Sequence, residues 1–531
     1  MYKEFVKKSK ELNIKRNTKD MFRYLCAFWW HFSLYERKSD YSGKKIISVF
    51  DEDCPYPVWH KDEWIKNANP PSSEFDFSKS LFDNLWDLFQ RCPIPHNSGY
   101  KNENCEYTDD FWYSKDCFLC HSAYKCENMQ YCYRAIEMLN SQFCVYSFKS
   151  ENCIDIVNCN SCYNLVYAID AENCRDSYFL FDCRNCNNCF CCWNLRNKKY
   201  CILNKQYSKE GYKEKLKNID LSSRKTYDKV KDKFHNFLKT RAWWKPLEHI
   251  EVINSTGNIL QYTKDCKNCF CLQNSEDCVN SMRGYGNKDL IDSLSVLNSE
   301  QVFHTYQLTD CYDISFSINL IQCKFMEYCG HCYNCENCFG CCGLVNKKYC
   351  ILNKQYNPEE YKHLVIKIRD KIYKDGDFGK FFPFYFAANG FDDSLASVYW
   401  PLSENEQKKL GFRVKVQEKR DKANTYDVSD IPDKPTDADK SISDKIFWDE
   451  RYNKPFKITK YDIGFAKKHK VPLSNCSYVN RLRENFSWVF FDGEIRETKS
   501  AISGKRIYTG LPKFLDSRIL SIDEYNEKIG Y

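Results

Sequence analysis

From Cys105 to Cys201 the chain spaces its cysteines by multiples of three. Cys105, Cys117, Cys120, Cys126, Cys132, Cys144, Cys153, Cys159, Cys162, Cys174, Cys183, Cys186, Cys189, Cys192 and Cys201 share one phase, and Cys191 alone falls off it. Up to Leu195 the other residues in this phase, such as Ala123, Met129, Ser147, Ile156, Ala171 and Leu180, are uncharged, the composition of an interior. Just before the inward positions stand Asp116, Asn152, Asn158, Asn173, Asp182, Asn185 and Asn188. These types tolerate a left-handed backbone and hydrogen-bond their own turns. A helix repeats near 3.6 residues and an ordinary strand at 2, and a period of three fits neither. It predicts a narrow β-solenoid that turns a corner every few residues and sends one small side chain inward per step.

A second run keeps the same step in its own phase: Cys266, Cys269, Cys278, Cys311, Cys323, Cys329, Cys332, Cys335, Cys338, Cys341 and Cys350, with Cys271 and Cys342 outside it. Both runs close on NKKYCILNKQY, followed by SKEGYKEKLKNI after Tyr207 and NPEEYKHLVIKI after Tyr356. A helical cap is expected there, because an open solenoid end invites edge pairing. Spacings of twelve recur, as in Cys120, Cys132 and Cys144, and suggest four triplets per coil, with eighteen as the alternative.

The chain carries 33 cysteines. Its amino terminus is polar, without an apolar signal-peptide core, and its longest apolar patches are too short to span a bilayer. The expectation is a cytoplasmic protein without membrane insertion, whose thiols are free. Packing explains most of them: cysteine is small and apolar, and Ser and Ala replace it at equivalent positions. The sharper possibility is a zinc or iron–sulfur centre at Cys183, Cys186, Cys189 and Cys192, or in the run Cys329, Cys332, Cys335, Cys338 and Cys341, where a twelve-residue coil brings four thiols to the axis. Inward thiols have raised pKa values and poor access, which argues against a nucleophile. His121 and His331 fall in the outward phase and read as surface residues.

The two ends match each other without a gap. KSDYSGKKI and KSAISGKRI open residues 38–65 and 499–526. Ser39, Ser42, His60 and Glu63 match Ser500, Ser503, Ser521 and Glu524. Cysteines at those places would read C-x2-C, seventeen residues, C-x2-C, the spacing of a zinc ribbon or treble clef. Serine and glutamate do not replace thiolates, so both modules read as degenerate and held by their cores.

Together the SGK-I module, the run closing on CENCFGC and NKKYCILNKQY, the FGKFFP and YWPLS segments, and KPFKI with KKHKVPLS resemble a group of uncharacterised cysteine-rich proteins of small-genome, candidate-phyla-type bacteria. The resemblance covers nearly the whole chain. It implies the architecture, and also that cysteines usual in the terminal ribbons are lost here.

The expected fold class is therefore mainly β: two cysteine-lined solenoids with helical caps, flanked by degenerate zinc-ribbon or treble-clef modules. The organisation reads as a helical segment 1–37, a module 38–66, a connector 67–104, a solenoid 105–207, a helical bridge 208–250, a second solenoid 254–356, a helix with FFP and YWPLS segments 357–417, a flexible polar linker 418–445, a small α/β segment 446–490 and a terminal module 491–531.

The sequence contains no P-loop, dinucleotide fingerprint, HExxH or nucleophile elbow, so no catalytic residue is assigned. The leading reading is a non-enzymatic binder of RNA or single-stranded DNA, or of a nucleoprotein or protein partner. Its surface would use Trp112, Tyr133, Tyr163, Phe190 and Trp193 with Lys198, Lys199, Lys347 and Lys348. A net charge of +7 fits this mildly. The alternatives are a metal or redox protein and a structural assembly protein.

Overall fold

A computed structural model describes residues 18–29, 33–136, 138–139, 145–148, 156–157, 167–264, 269–273, 302–303, 306–309, 312–414, 422–451, 454–488 and 493–530. The chain divides into two units, and the division does not follow chain order. One comprises residues 1–98, 247–415 and 491–496; the other comprises 99–246, 416–490 and 497–531.

The second unit is built on a ladder of short parallel strands. Asp109–Trp112, His121–Tyr124 and Tyr133–Ile136 pair in register twelve residues apart, as in Asp109↔His121 and Tyr133↔His121. The same offset holds to Asn187–Trp193 and Lys199–Ile202. The other unit carries a like ladder, with Lys324↔Glu336 and Glu336↔Lys348. The recurring cysteine spacing of twelve anticipates this register. The residue before each inward position adopts positive φ, as at Asp116 (52°), Asn185 (53°), Asn188 (51°) and Asn334 (52°). Phe179, Leu119 and Cys191 do so as well, although left-handed backbone costs an ordinary residue about 1–2 kcal/mol. Inter-rung hydrogen bonds offset that cost: Lys125 N–H donates to the Trp112 carbonyl at 2.9 Å and Asn188 N–H to that of Arg175 at 3.1 Å.

The repeated NKKYCILNKQY closes each ladder. Leu203 and Asn204 are both left-handed (φ 51° and 63°), the requirement of a tight hairpin turn. Lys205–Gln206 then returns antiparallel along Lys199–Ile202. The Asn204 side chain pairs with the rung beneath as a strand would: its Oδ1 accepts from Trp193 N–H at 3.0 Å and its Nδ2 donates to the Trp193 carbonyl at 2.8 Å. Asn353 repeats this on Cys342, at 3.0 and 2.9 Å. Helices Lys209–Leu216 and Pro358–Lys374 follow, capped by Ser208 and Asn357.

The expectation of a mainly-β chain made of two solenoids is not met. Of the described residues 31% are helical and 28% are strand, and the sheets are open, none closing on itself. The class is mixed α and β. Each rung contributes only a few strand residues before its left-handed corner, while long amphipathic segments outside the triplet pattern form helices that cover the ladders. In the second unit helix Arg224–Thr240 buries Tyr227, Phe234, Phe237 and Leu238 against Tyr167, Phe179 and Trp193, with ring centroids 5.3–6.0 Å apart. In the first, helix Leu81–Phe89 buries Leu85, Leu88 and Phe89, and Phe82, Phe382 and Tyr328 meet at 6.4–6.5 Å.

Two further segments are packed in the second unit. The segment read as a helical bridge, 208–250, packs as the cover of the ladder that precedes it. The segment read as a flexible linker is packed where it is described: Pro435, Ala438 and Ile442 are buried, and Arg224 N–H donates to the Asp433 carbonyl at 2.8 Å. Low hydrophobic content suggested a solvated strand of chain; three well-placed apolar side chains are enough to dock it. No helix among the described residues is long and apolar enough to cross a membrane.

Candidate binding surface and degenerate metal positions

The inward thiols act as hydrogen-bond donors to backbone. Cys183 Sγ donates to the carbonyl two residues back, Phe181, at 3.4 Å, and reaches the one nine residues on, Cys192, at 3.7 Å. Cys329 does the same to Glu327 and Cys338 at 3.3 and 3.4 Å, and Cys335 to Tyr333 and Leu344 at 3.4 and 3.5 Å. Ser177 and Ser317 show why serine substitutes: each hydroxyl donates to its own i−2 carbonyl at 2.6 and 2.8 Å and accepts from the amide twelve residues on at 3.0 and 3.1 Å. Cys329 Sγ likewise accepts from Cys341 N–H at 3.3 Å.

Cys183, Cys186, Cys189, Cys192, Cys329, Cys332, Cys335, Cys338 and Cys341 are all buried. Burial pushes the thiols of Cys183, Cys329 and Cys332 well above their ordinary range. The described cysteines are free thiols. Among the described residues no group of three or more His, Cys, Asp or Glu side chains is arranged to hold a metal ion. Cys144, Cys153, Cys159, Cys162, Cys266, Cys278 and Cys311 lie outside the described residues.

Each terminal module consists of a strand hairpin followed by a helix. Tyr35–Lys38 and Lys45–Ser48 form an antiparallel hairpin whose turn needs Gly43 at φ 71°, and helix Lys61–Asn67 begins at the His60 cap. Ser39 and Glu63 meet directly: Ser39 Oγ donates to Glu63 Oε2 at 2.7 Å and accepts from His60 N–H at 3.2 Å. Hydrogen bonds from Ser42 and Ser39 hold the Glu63 carboxyl below its usual range. The C-terminal module repeats this with Ser500 donating to Glu524, and Ser521 and Glu524 forming a capping box at 2.8–3.3 Å. Hydrogen bonds from Ser500 and Ser503 lower Glu524 to about 2. In each module a carboxylate in the first helical turn, where the macrodipole favours negative charge, thus gathers the serine donors of the hairpin and the helix start.

The surface expected from the outward phase is rearranged. Tyr133, Phe190 and Trp193 are buried, and Trp112 is half-buried with its indole donating to Asp110 at 2.9 Å. Tyr163 lies outside the described residues. His121 and His331, read as surface residues, are also buried: His121 stacks on Tyr478 at 6.1 Å, and burial lowers His331 to about 4 beside Asn319 and Tyr56. The outward phase faces covering helices over much of its length, so exposure there is decided by what packs on it. Lys198, Lys199, Lys347 and Lys348 are exposed as expected. Lys348 pairs with Glu336 at 2.7 Å, where the first ladder has Asn187 opposite Lys199.

One exposed column went unread in the sequence. Register twelve aligns Lys101, Tyr113 and Lys125, all left-handed (φ 53°, 54° and 52°). Beside it Trp112 and Tyr124 are paired. Tyr113 is 47% and Tyr124 39% exposed, with ring centroids 5.8 Å apart. Lys101 Nζ lies 5.6 Å over the Tyr113 ring and Lys125 Nζ 5.1 Å over that of Tyr124. The twelve-residue interval in the left-handed phase was the signal that would have found it. No protein-family model, curated protein or solved structure matches the chain.

Proposed function

We propose that the protein is a non-enzymatic binder of single-stranded nucleic acid, RNA or DNA, acting in the cytoplasm. The observation that carries this reading is the column of Lys101, Tyr113 and Lys125 beside Tyr124, in which exposed rings alternate with ammonium groups. Rungs of a sheet stand roughly 4.8 Å apart, so the column offers a stacking face and a cation within reach of consecutive nucleotides. Base–aromatic stacking is insensitive to sequence, and lysine recognises phosphate as a point charge. The exposed lysine pair at 198–199 adds positive charge to the same unit. The free thiols fit a reducing compartment.

The test is fluorescence anisotropy of a labelled, unstructured oligonucleotide across a salt series. The plot of log K against log salt should fall steeply, and the Lys101→Ala, Lys125→Ala double variant should flatten its slope by about 1.4, two single-strand phosphate contacts. Affinity independent of salt sinks the proposal.

A further inference from the structure

Within the second unit His235, Lys239, Ser487, Trp488 and Phe514 line an open cleft of about 290 Å³. We propose that this cleft binds a single nucleotide, the base against the aromatic rings and the phosphate on Lys239. The Lys239 ammonium lies 5.9 Å from the Trp488 ring centroid and 5.7 Å from that of Phe514, so one cation serves two aromatic walls. The His235 ring packs against Trp488 at 4.5 Å and 37°. Its Nε2 is engaged by the Tyr167 hydroxyl at 2.9 Å, which fixes the ring's orientation. Burial, with Lys231 and Lys239 nearby, lowers His235 to about 3, so the imidazole is a neutral stacking partner at physiological pH. The neighbouring Lys231 is drawn to Glu484 at 3.5 Å, whereas no carboxylate lines the cleft. Phe514 is 54% exposed, leaving an entrance for a planar ring. The volume lies just below the usual range of ligand clefts, so the cleft holds no more than one nucleotide. A free mononucleotide and one nucleotide of a strand present the same chemistry, so the proposal stands independently of strand binding.

Adenosine 5′-monophosphate and a dodecamer of oligoadenylate are titrated into the full chain by calorimetry, with adenosine as the uncharged control. Saturable binding of the monophosphate is expected, weakened at least about fivefold by Phe514→Ala, the low end of a base–aromatic stack. Lys239→Ala should erase the preference for the monophosphate over adenosine. Melting temperatures of both variants confirm that they fold, and both substitutions lie at exposed positions. Competition between the dodecamer and the monophosphate assigns the cleft to a strand; binding of the monophosphate alone assigns it to a free nucleotide. Absence of saturable monophosphate binding, or equal affinity in wild type and both variants, overturns the proposal. The Lys101→Ala, Lys125→Ala variant should leave monophosphate binding unchanged, which separates this site from the exposed column.

Discussion

Gly340 tests how closely a helix rests on its ladder. It sits at φ 63°, and a Cβ added there would meet Leu352 Cδ2 and Leu85 Cδ2, each at 2.9 Å. Leu85 and Leu352 are fully buried, so neither has open space to retreat into. At the matching position of the other ladder stands Cys191, also left-handed (φ 51°). The backbone conformation therefore accepts a side chain, and what forbids one at 340 is helix Leu81–Phe89. Gly340→Ala should combine about 1 kcal/mol of left-handed strain with about 1–2 kcal/mol of overpacking, a total of about 2–3 kcal/mol. Gly43→Ala is the control, since Gly43 has φ 71° and nothing within 4 Å of an added Cβ. It should lose only the strain. Urea unfolding followed by near-ultraviolet circular dichroism gives both values from the shift in midpoint at constant slope. Equal destabilisation by the two substitutions would refute the close packing.

Two further predictions concern the terminal modules. Ser39→Cys, Ser42→Cys and Glu63→Cys, with His60 retained, should create a Cys3His site that takes up one zinc per chain in a chelator competition assay, because the hairpin and helix already hold the positions together; failure to bind zinc would show that the module is no longer of ligand geometry. Glu524 has its carboxyl lowered to about 2 by serine hydroxyls, so the stability it contributes is present above about pH 4.5 and lost as pH falls through about 2. Glu524→Gln should flatten that acid limb, and an unchanged limb in thermal melts at stepped pH would refute the assignment.

The triplet phase, the left-handed residues that precede the inward positions and the duplication were all legible in the sequence, because each is a local rule. A corner every third residue selects for left-handed backbone at one phase and small side chains at another, whatever else the chain does. The spacing that unites Ser39, Ser42, His60 and Glu63 is legible for the same reason: a hairpin and a first helical turn set it locally. The balance of helix and strand was not legible in this way. The flanking amphipathic segments carry no repeat, and their helices are held by Phe234, Phe237 and Phe89, which are buried in the tertiary structure.

Exposure was decided by tertiary structure alone. Tyr133, Phe190 and Trp193 share the outward phase with Tyr124, and nothing in their spacing distinguishes them; the first three are covered and Tyr124 is not. The cleft of His235, Lys239, Trp488 and Phe514 joins residues distant in the chain, and no periodicity brings them together. A repeating sequence determines which way each side chain points from its rung. Which of those side chains meet water depends on the helices that dock there, and docking is a matter of apolar area buried between distant segments.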